Sequence, residues 1–327
     1  MAVLVTGGAG YIGSHAVKQL IRAGRDPIVA DNLYRGNRKS VPQGVPFYDC
    51  DLLQTSRLVS ILREHAVSEV MHFAALAYVG ESVTDPLHYY RNNVAGTGSL
   101  LEAMLAAGVR RLVFSSTCAT YGEPDTLPIT EETPQQPINP YGQSKLMVER
   151  ILRDLVATGD GWSVTALRYF NVAGSSRDGS IGEDHHPETH LIPLVLQTAL
   201  EQRPEITIFG NDYDTPDGTC IRDYVHVEDL CAAHLLALEN LVPNEFQFYN
   251  LGIGRGFSVQ EVIESARRVT GRKIPTALGD RRAGDPPILY ADASKIRDQL
   301  GWKPEYEDLD EIIQTAWNWF QKHPTGY

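Results

Sequence analysis

The chain is short of cysteine, of positive charge and of long apolar runs. Its four cysteines, Cys50, Cys118, Cys220 and Cys231, form no C-x-x-C pair and match no metal-ligand spacing. A disulfide scaffold and a thiolate zinc site are therefore not expected. With no secretory leader recognisable, reduced thiols and a cytoplasmic location are expected. No apolar run approaches the length of a membrane span. Lysine and arginine total 29 against 41 acidic residues, a net charge of −12, which argues against nucleic acid or an anionic membrane as the main partner. Internal repeats and low-complexity tracts are absent. What remains is an ordinary folded chain of 327 residues, 43% hydrophobic and 21% charged, long enough for one large or two modest domains.

Glycine is placed where chemistry needs it. Gly8-Ala9-Gly10-Tyr11-Ile12-Gly13 satisfies G-x-G-x-x-G directly after the apolar run Val3–Val5 and at the head of a helical pattern. The first glycines permit a tight turn and a close approach of backbone to a pyrophosphate, and Gly13 permits close helix–strand packing. The helix N-terminus then favours the phosphates. The next apolar run ends in Asp31, at the distance where a carboxylate should hold the adenine-side ribose. A carboxylate there repels a 2′-phosphate and favours NAD over NADP, although Arg35, Arg38 and Lys39 follow closely.

The first half alternates strand and helix signals, which predicts an α/β fold with a Rossmann-type doubly wound parallel sheet. Strands are expected at 2–6, 27–31, 70–73, 111–115 and 163–169. Helices are expected at 12–23, at 55–65 with Thr55 or Ser56 as cap, at 86–107 and from Pro140, capped by Asn139. Later strands are expected at 206–209 and 247–251. A capping box at Ser258–Glu261 opens a helix that Gly271 closes, and a last helix runs over 308–322. The polar loops 174–190, 210–219 and 279–288 are candidates for binding. The division expected is a cofactor domain over 1–170, with elements near 223–252 returning to it, and a smaller α/β substrate domain over 171–327.

Tyr141 and Lys145 stand at i and i+4 on one helix face. A nearby cation lowers a phenol pKa by about 1–3 units, which suits a general base. The strand ending Ser115-Ser116-Thr117 brings a hydroxyl to the carboxyl edge of the sheet, where Thr117 could bind a substrate hydroxyl and relay a proton to Tyr141. Cys118 has no identifiable base. His185, His186 and His190 crowd together with acids, but their spacing fits no standard zinc pattern and no metal is expected.

TGGAGYIG, the strand-end Asp31, SSTCATYG and YGQSK together resemble the extended short-chain dehydrogenase/reductase family. DNLYRGN, HFAALAYVGES, YYRNNVAGT, LRYFN, IFGNDYDTPDGTCIRDYVHVEDL, YNLGIGRGFSV and RRAGDPP extend the resemblance, over nearly the whole chain, to its UDP-glucose 4-epimerase branch. The resemblance implies a tightly held, unconsumed NAD. Its pyrophosphate would lie over Gly7, Gly10, Tyr11, Ile12 and Gly13, and its ribose on Asp31 and Asn32. Asp51 and Leu52 would flank the adenine, and Phe73, Ala74 and Asn92 would line the groove. Tyr141 would act as base, Lys145 would lower its pKa and hold the nicotinamide ribose, and Thr117 would align the sugar.

The implied reaction is redox-neutral interconversion of UDP-glucose and UDP-galactose through transient oxidation at carbon 4. Epimerisation of another UDP-sugar, or net NAD-dependent oxidation of one, are the alternatives. Dehydratases of the superfamily carry an Asp-Glu pair after the strand-end threonine, where this chain has Cys118-Ala119, so dehydration is disfavoured. The resemblance further implies that Arg222 and Arg282 grip the diphosphate, Asp285 a uridine ribose, Asn171 the diphosphate or sugar, and His190 and Leu191 the nucleotide. Leu289 would limit room at the sugar 2-position. Two arginine forks would offset the acidic balance of the chain locally. Several relatives carry a lysine where this chain has Ala77. A homodimer is expected by family analogy.

Overall fold

The computed structural model describes residues 1–282 and 286–327. Thirteen strands are found among them: β1 (Ala2–Thr6), β2 (Asp26–Asp31), β3 (Phe47–Asp49), β4 (Glu69–His72), β5 (Arg111–Thr117), β6 (Ser163–Tyr169), β7 (Asn171–Ala173), β8 (Ile206–Phe209), β9 (Ile221–His226), β10 (Glu245–Leu251), β11 (Gly256–Ser258), β12 (Thr276–Gly279) and β13 (Ile288–Leu289). Seven form one sheet in the order β10-β6-β5-β4-β1-β2-β3, and every pairing in it is parallel. Strand order reverses between β1 and β4, and ligands of such sheets bind outside the strand carboxyl ends at that point.

Both faces of the sheet are covered, and the period of two shows in the core. Val3 and Val5 pack against Ala16, Val17, Leu20 and Leu230 on one side. Leu4 packs against Leu58, Ile61, Leu100 and Leu152 on the other. All three β1 residues are fully buried, so truncation of any of them would cost about 2–5 kcal/mol.

Helices follow from local chemistry. Asn139 caps the helix Pro140–Ala157 by accepting from Gly142 N–H, and Ser258 with Glu261 completes a reciprocal capping box on Val259–Thr270. Gly108 and Gly271 end their helices in the left-handed region. The helix at 55–64 is preceded by Gln54, without a side-chain cap. The stretch 86–107 is three pieces: Pro86–Tyr89, a π-helical turn at Tyr90–Ala95, and Gly96–Ala107.

The later chain builds a separate core. Ile192, Val195, Leu196, Val262, Ile263, Ile312, Ile313 and Trp319 cluster between three helices. Beside them β9 pairs with β7, β11 and β13, and β12 pairs with β8. Glu245–Leu251 leaves this region and joins β6 at the edge of the large sheet.

Candidate active site

A cavity of about 1020 Å³ opens at the carboxyl edge of the seven-stranded sheet and runs from the glycine loop to the region of β9. Gly7 enters it at φ +72°, and a Cβ there would sit 2.6 Å from Ala74 N. A Cβ on Gly13 would run into the carbonyl of Gly7. The helix Tyr11–Arg22 starts at Gly10 with no side-chain cap and no acid in its first turn. Its first N–H groups have no intrahelical partner, and Gly10, Tyr11, Ile12 and Gly13 line the cavity. An anionic group fits here.

Asp31 is buried at the end of β2. Its carboxylate accepts from Ala9 N–H at 3.0 Å and Leu33 N–H at 2.8 Å, one bond to each oxygen. Burial pushes its pKa up, and these two donors pull against that. Each oxygen keeps a lone pair for a hydroxyl. The cations behind Asp31 are engaged elsewhere. Arg35 donates to the His186 carbonyl at 2.6 Å and to Glu81 at 3.0 Å. Arg38 covers Phe47, and Lys39 reaches the main-chain oxygen of Tyr327.

Asn32, Leu52, Phe73, Ala74 and Asn92 line the same cavity, as does Ala77. Asp51 is not among the lining residues. It accepts from Asn32 Nδ2 at 3.0 Å and from Leu53 N–H at 2.9 Å, so it stands behind Asn32 and orients it. Asn92 reaches the cavity from the π-helical turn. Its neighbour Asn93 is buried, bonds both main-chain groups of Leu76, and donates to Ser144 on the Tyr141 helix.

Tyr141, Lys145 and Thr117 meet in the cavity wall. Tyr141 and Lys145 are buried, 8% and 3% exposed. Lys145 Nζ donates to the Ser115 carbonyl at 2.7 Å and lies over the Phe114 ring. Burial pushes its pKa down to about 7, with Glu149 one turn on opposing. Burial pushes the Tyr141 phenol well up, Tyr169 adds to this, and a hydrogen bond with Thr117 pulls the other way. The expected lowering of the phenol by the lysine is not found: only the Thr117 hydrogen bond pulls it down, and burial disfavours charge on both groups. Cys118 is pushed up to about 12 by burial, so it is no ready thiolate.

The facing wall comes from distant sequence. β9 sets Asn171 opposite Tyr224 and Leu289 opposite Arg222. Asn171, Arg222, Leu289, Arg282, His190 and Leu191 all line the cavity. Asp223 faces away and accepts from the N–H groups of Ile253, Gly254 and Ala291, which fixes β9 against its surroundings. Asp285 lies outside the described residues.

Arg35, Tyr78, Glu183 and His185 also line the cavity, although sequence alone assigns none of them a binding role. The loop of 182–190 brings Glu183, His185, Glu188 and His190 together, with their ligand atoms within 4.8 Å of one another. His186, by contrast, is 85% exposed. Linear histidine spacing does not reveal this set, because two of its members are glutamates.

A family model described as "NAD dependent epimerase/dehydratase family" matches residues 3–252. The UDP-glucose 4-epimerase of Lactobacillus helveticus is 55% identical, covering 100% of this chain and 99% of its own. Among solved structures, the UDP-glucose 4-epimerase of Brucella ovis in complex with NAD is 50% identical, with a TM-score of 0.92 and 97% of each chain covered. The UDP-glucose 4-epimerase of Bifidobacterium longum in complex with NAD+ and UDP is 40% identical, with a TM-score of 0.96 and 100% of each chain covered.

Proposed function

Since the chain belongs to the NAD dependent epimerase/dehydratase family, we propose that it is an NAD-dependent UDP-glucose 4-epimerase. It interconverts UDP-glucose and UDP-galactose with no net redox change. The observation that carries this reading is one cavity holding the uncapped glycine-loop helix and Asp31 at one end, the Tyr141, Lys145 and Thr117 group at its centre, and Arg222 with Arg282 opposite. NAD, when bound, would supply a reversible hydride acceptor for sugar carbon 4, and its positive ring would favour ionisation of a neighbouring phenol.

The chain's residues do the rest. The helix N-terminus and Asp31 hold the dinucleotide. Tyr141 takes the proton of the sugar 4-hydroxyl and gives it back, and Thr117 aligns that hydroxyl. Lys145, fixed on Ser115, holds the nicotinamide ribose beside the reacting group. Arg222 and Arg282 hold the diphosphate, with Asn171, His190 and Leu191 along the nucleotide. Grip on the nucleotide with a loose sugar lets the sugar present both faces to one hydride source. The cofactor unit is 1–170 with β10 returned to its sheet, and the substrate unit is 171–327.

The test is direct. UDP-glucose incubated with the protein should yield UDP-galactose, with no reduced nicotinamide building up in step with product. Tyr141→Phe should lower turnover by about 10²–10⁴-fold while calorimetry still finds NAD and UDP bound. Stoichiometric build-up of reduced cofactor would make the protein a net oxidoreductase. Turnover of UDP-N-acetylglucosamine alone would move the assignment to an N-acetylated sugar.

Among the described residues no helix is long and apolar enough to cross a membrane, and all four cysteines are free thiols. A cytoplasmic enzyme is the reading these support.

A further inference from the structure

We propose that Glu183, His185, Glu188 and His190 form a binding site for one divalent transition-metal ion, with zinc as the best-fitting ion. The sequence pattern is Glu-x-His-x-x-Glu-x-His, and the four side chains converge within a single loop.

Spacing is the first argument. Four ligands at about 2.0–2.1 Å from a tetrahedral zinc stand about 3.3–3.4 Å from one another. His185 Nδ1 lies 3.3 Å from Glu183 Oε1 and 3.7 Å from Glu188 Oε2. His190 Nδ1 lies 3.3 Å from Glu188 Oε1. Its approach to Glu183 is closer, 2.6 Å, the length of a hydrogen bond whose proton an ion would displace. The four ligand atoms lie within 4.8 Å of one another, so closure onto one ion needs shifts of up to about 1.5 Å at the widest separations.

Charge is the second argument. The Glu183 and Glu188 side chains are each only 5% exposed, and two buried carboxylates need compensation. One divalent ion supplies it, and so would two imidazolium groups. The geometry of His185 distinguishes them. An imidazolium would direct both N–H groups at acceptors, yet His185 Nδ1 is buried and makes no hydrogen bond. The 3.3 Å approach to Glu183 is proximity without hydrogen-bond direction. A buried ring nitrogen aimed among carboxylates is what a metal ligand presents.

The loop is held for the purpose. Arg35 donates to the His186 carbonyl, Tyr78 Oη to the Pro187 carbonyl at 3.0 Å, and Trp319 Nε1 to the Glu183 carbonyl at 3.2 Å. The site closes one side of the cofactor cavity, which Glu183, His185 and His190 line. Binding through Nδ1 leaves Nε2 of His190 for other contacts, so the site stands whether or not that residue touches nucleotide.

Untagged protein, dialysed against chelator and then metal-free buffer, should take up one zinc per chain by elemental analysis and calorimetry. Cobalt(II) in its place should give the intense visible absorption of a tetrahedral N/O site. His185→Gln and Glu188→Gln should each weaken uptake by at least about tenfold, and His186→Gln should leave it unchanged. Circular dichroism of the variants separates lost ligands from lost folding, and the cobalt titration needs no variant at all. Absence of stoichiometric uptake by the wild-type protein, or uptake indifferent to His185→Gln and Glu188→Gln, would show a closed ion-pair cluster and overturn the proposal.

Discussion

Desolvation rules the individual side chains. Tyr141 and Lys145 read in sequence as a phenol activated by a neighbouring ammonium, but burial pushes one up and the other down to about 7. Period and spacing specify that two groups share a helix face; they carry no information on how much water reaches it. Burial acts on His15 in the same way, pushing it down to about 4. Its Nδ1 bonds the Tyr11 carbonyl at 2.8 Å, and its Nε2 is buried without a partner. Because the folded pKa lies below the unfolded 6.5, the unfolded chain binds the extra proton between pH 6.5 and 4. Stability is present above that window and lost on acidification through it. His15→Phe fills the space without the titration. Relative to the variant, the wild-type protein should lose about 2 kcal/mol between pH 6.5 and 5, read from urea unfolding at both pH values. Asp223 and Asp229, raised to about 6 by burial, slope the other way below pH 6, but equally in both proteins.

Local chemistry was largely legible for the elements. Asn139, the Ser258–Glu261 box and the terminal glycines mark boundaries because caps are short-range hydrogen bonds among neighbours in sequence. The π-helical turn at Tyr90–Ala95 was not legible, since it depends on partners far along the chain. Its Asn93 is fixed by Leu76 and Ser144. Such turns occur often at functional sites, and this one carries Asn92 to the cavity. Asn93→Ala strands buried donors and acceptors at Leu76, each worth about 1–3 kcal/mol. The expected result is a stability loss of about 2–4 kcal/mol by thermal or urea unfolding, with weaker retention of NAD through gel filtration.

At the scale of the whole molecule, two halves face one cavity. Arg222 and Arg282 belong to the half remote from the glycine loop, so Arg222→Gln should weaken UDP binding by about tenfold to a hundredfold, the worth of a charge-assisted hydrogen bond. NAD affinity should be unchanged; calorimetry with each ligand checks both. The exposed Val83, Leu87 and Met147, at 63%, 78% and 36%, sit on helices that pack together. A homodimer, expected by family analogy, would bury this apolar surface against a second copy, and light scattering tests it: about twice the mass of one chain supports the pairing, and a mass near one chain refutes it.

The amino-acid order alone determined the parallel α/β class, the glycine loop with Asp31, and the Tyr141–Lys145 pair, since each rests on spacing within one or two neighbouring elements. Asp51 behind Asn32, the meeting of Asn171, Arg222 and Leu289 along β9, and the four-residue cluster at 183–190 were decided by the tertiary structure. Strand register and loop packing join residues that no periodicity links, and they alone set which groups are dry, paired or aimed at the same point in space.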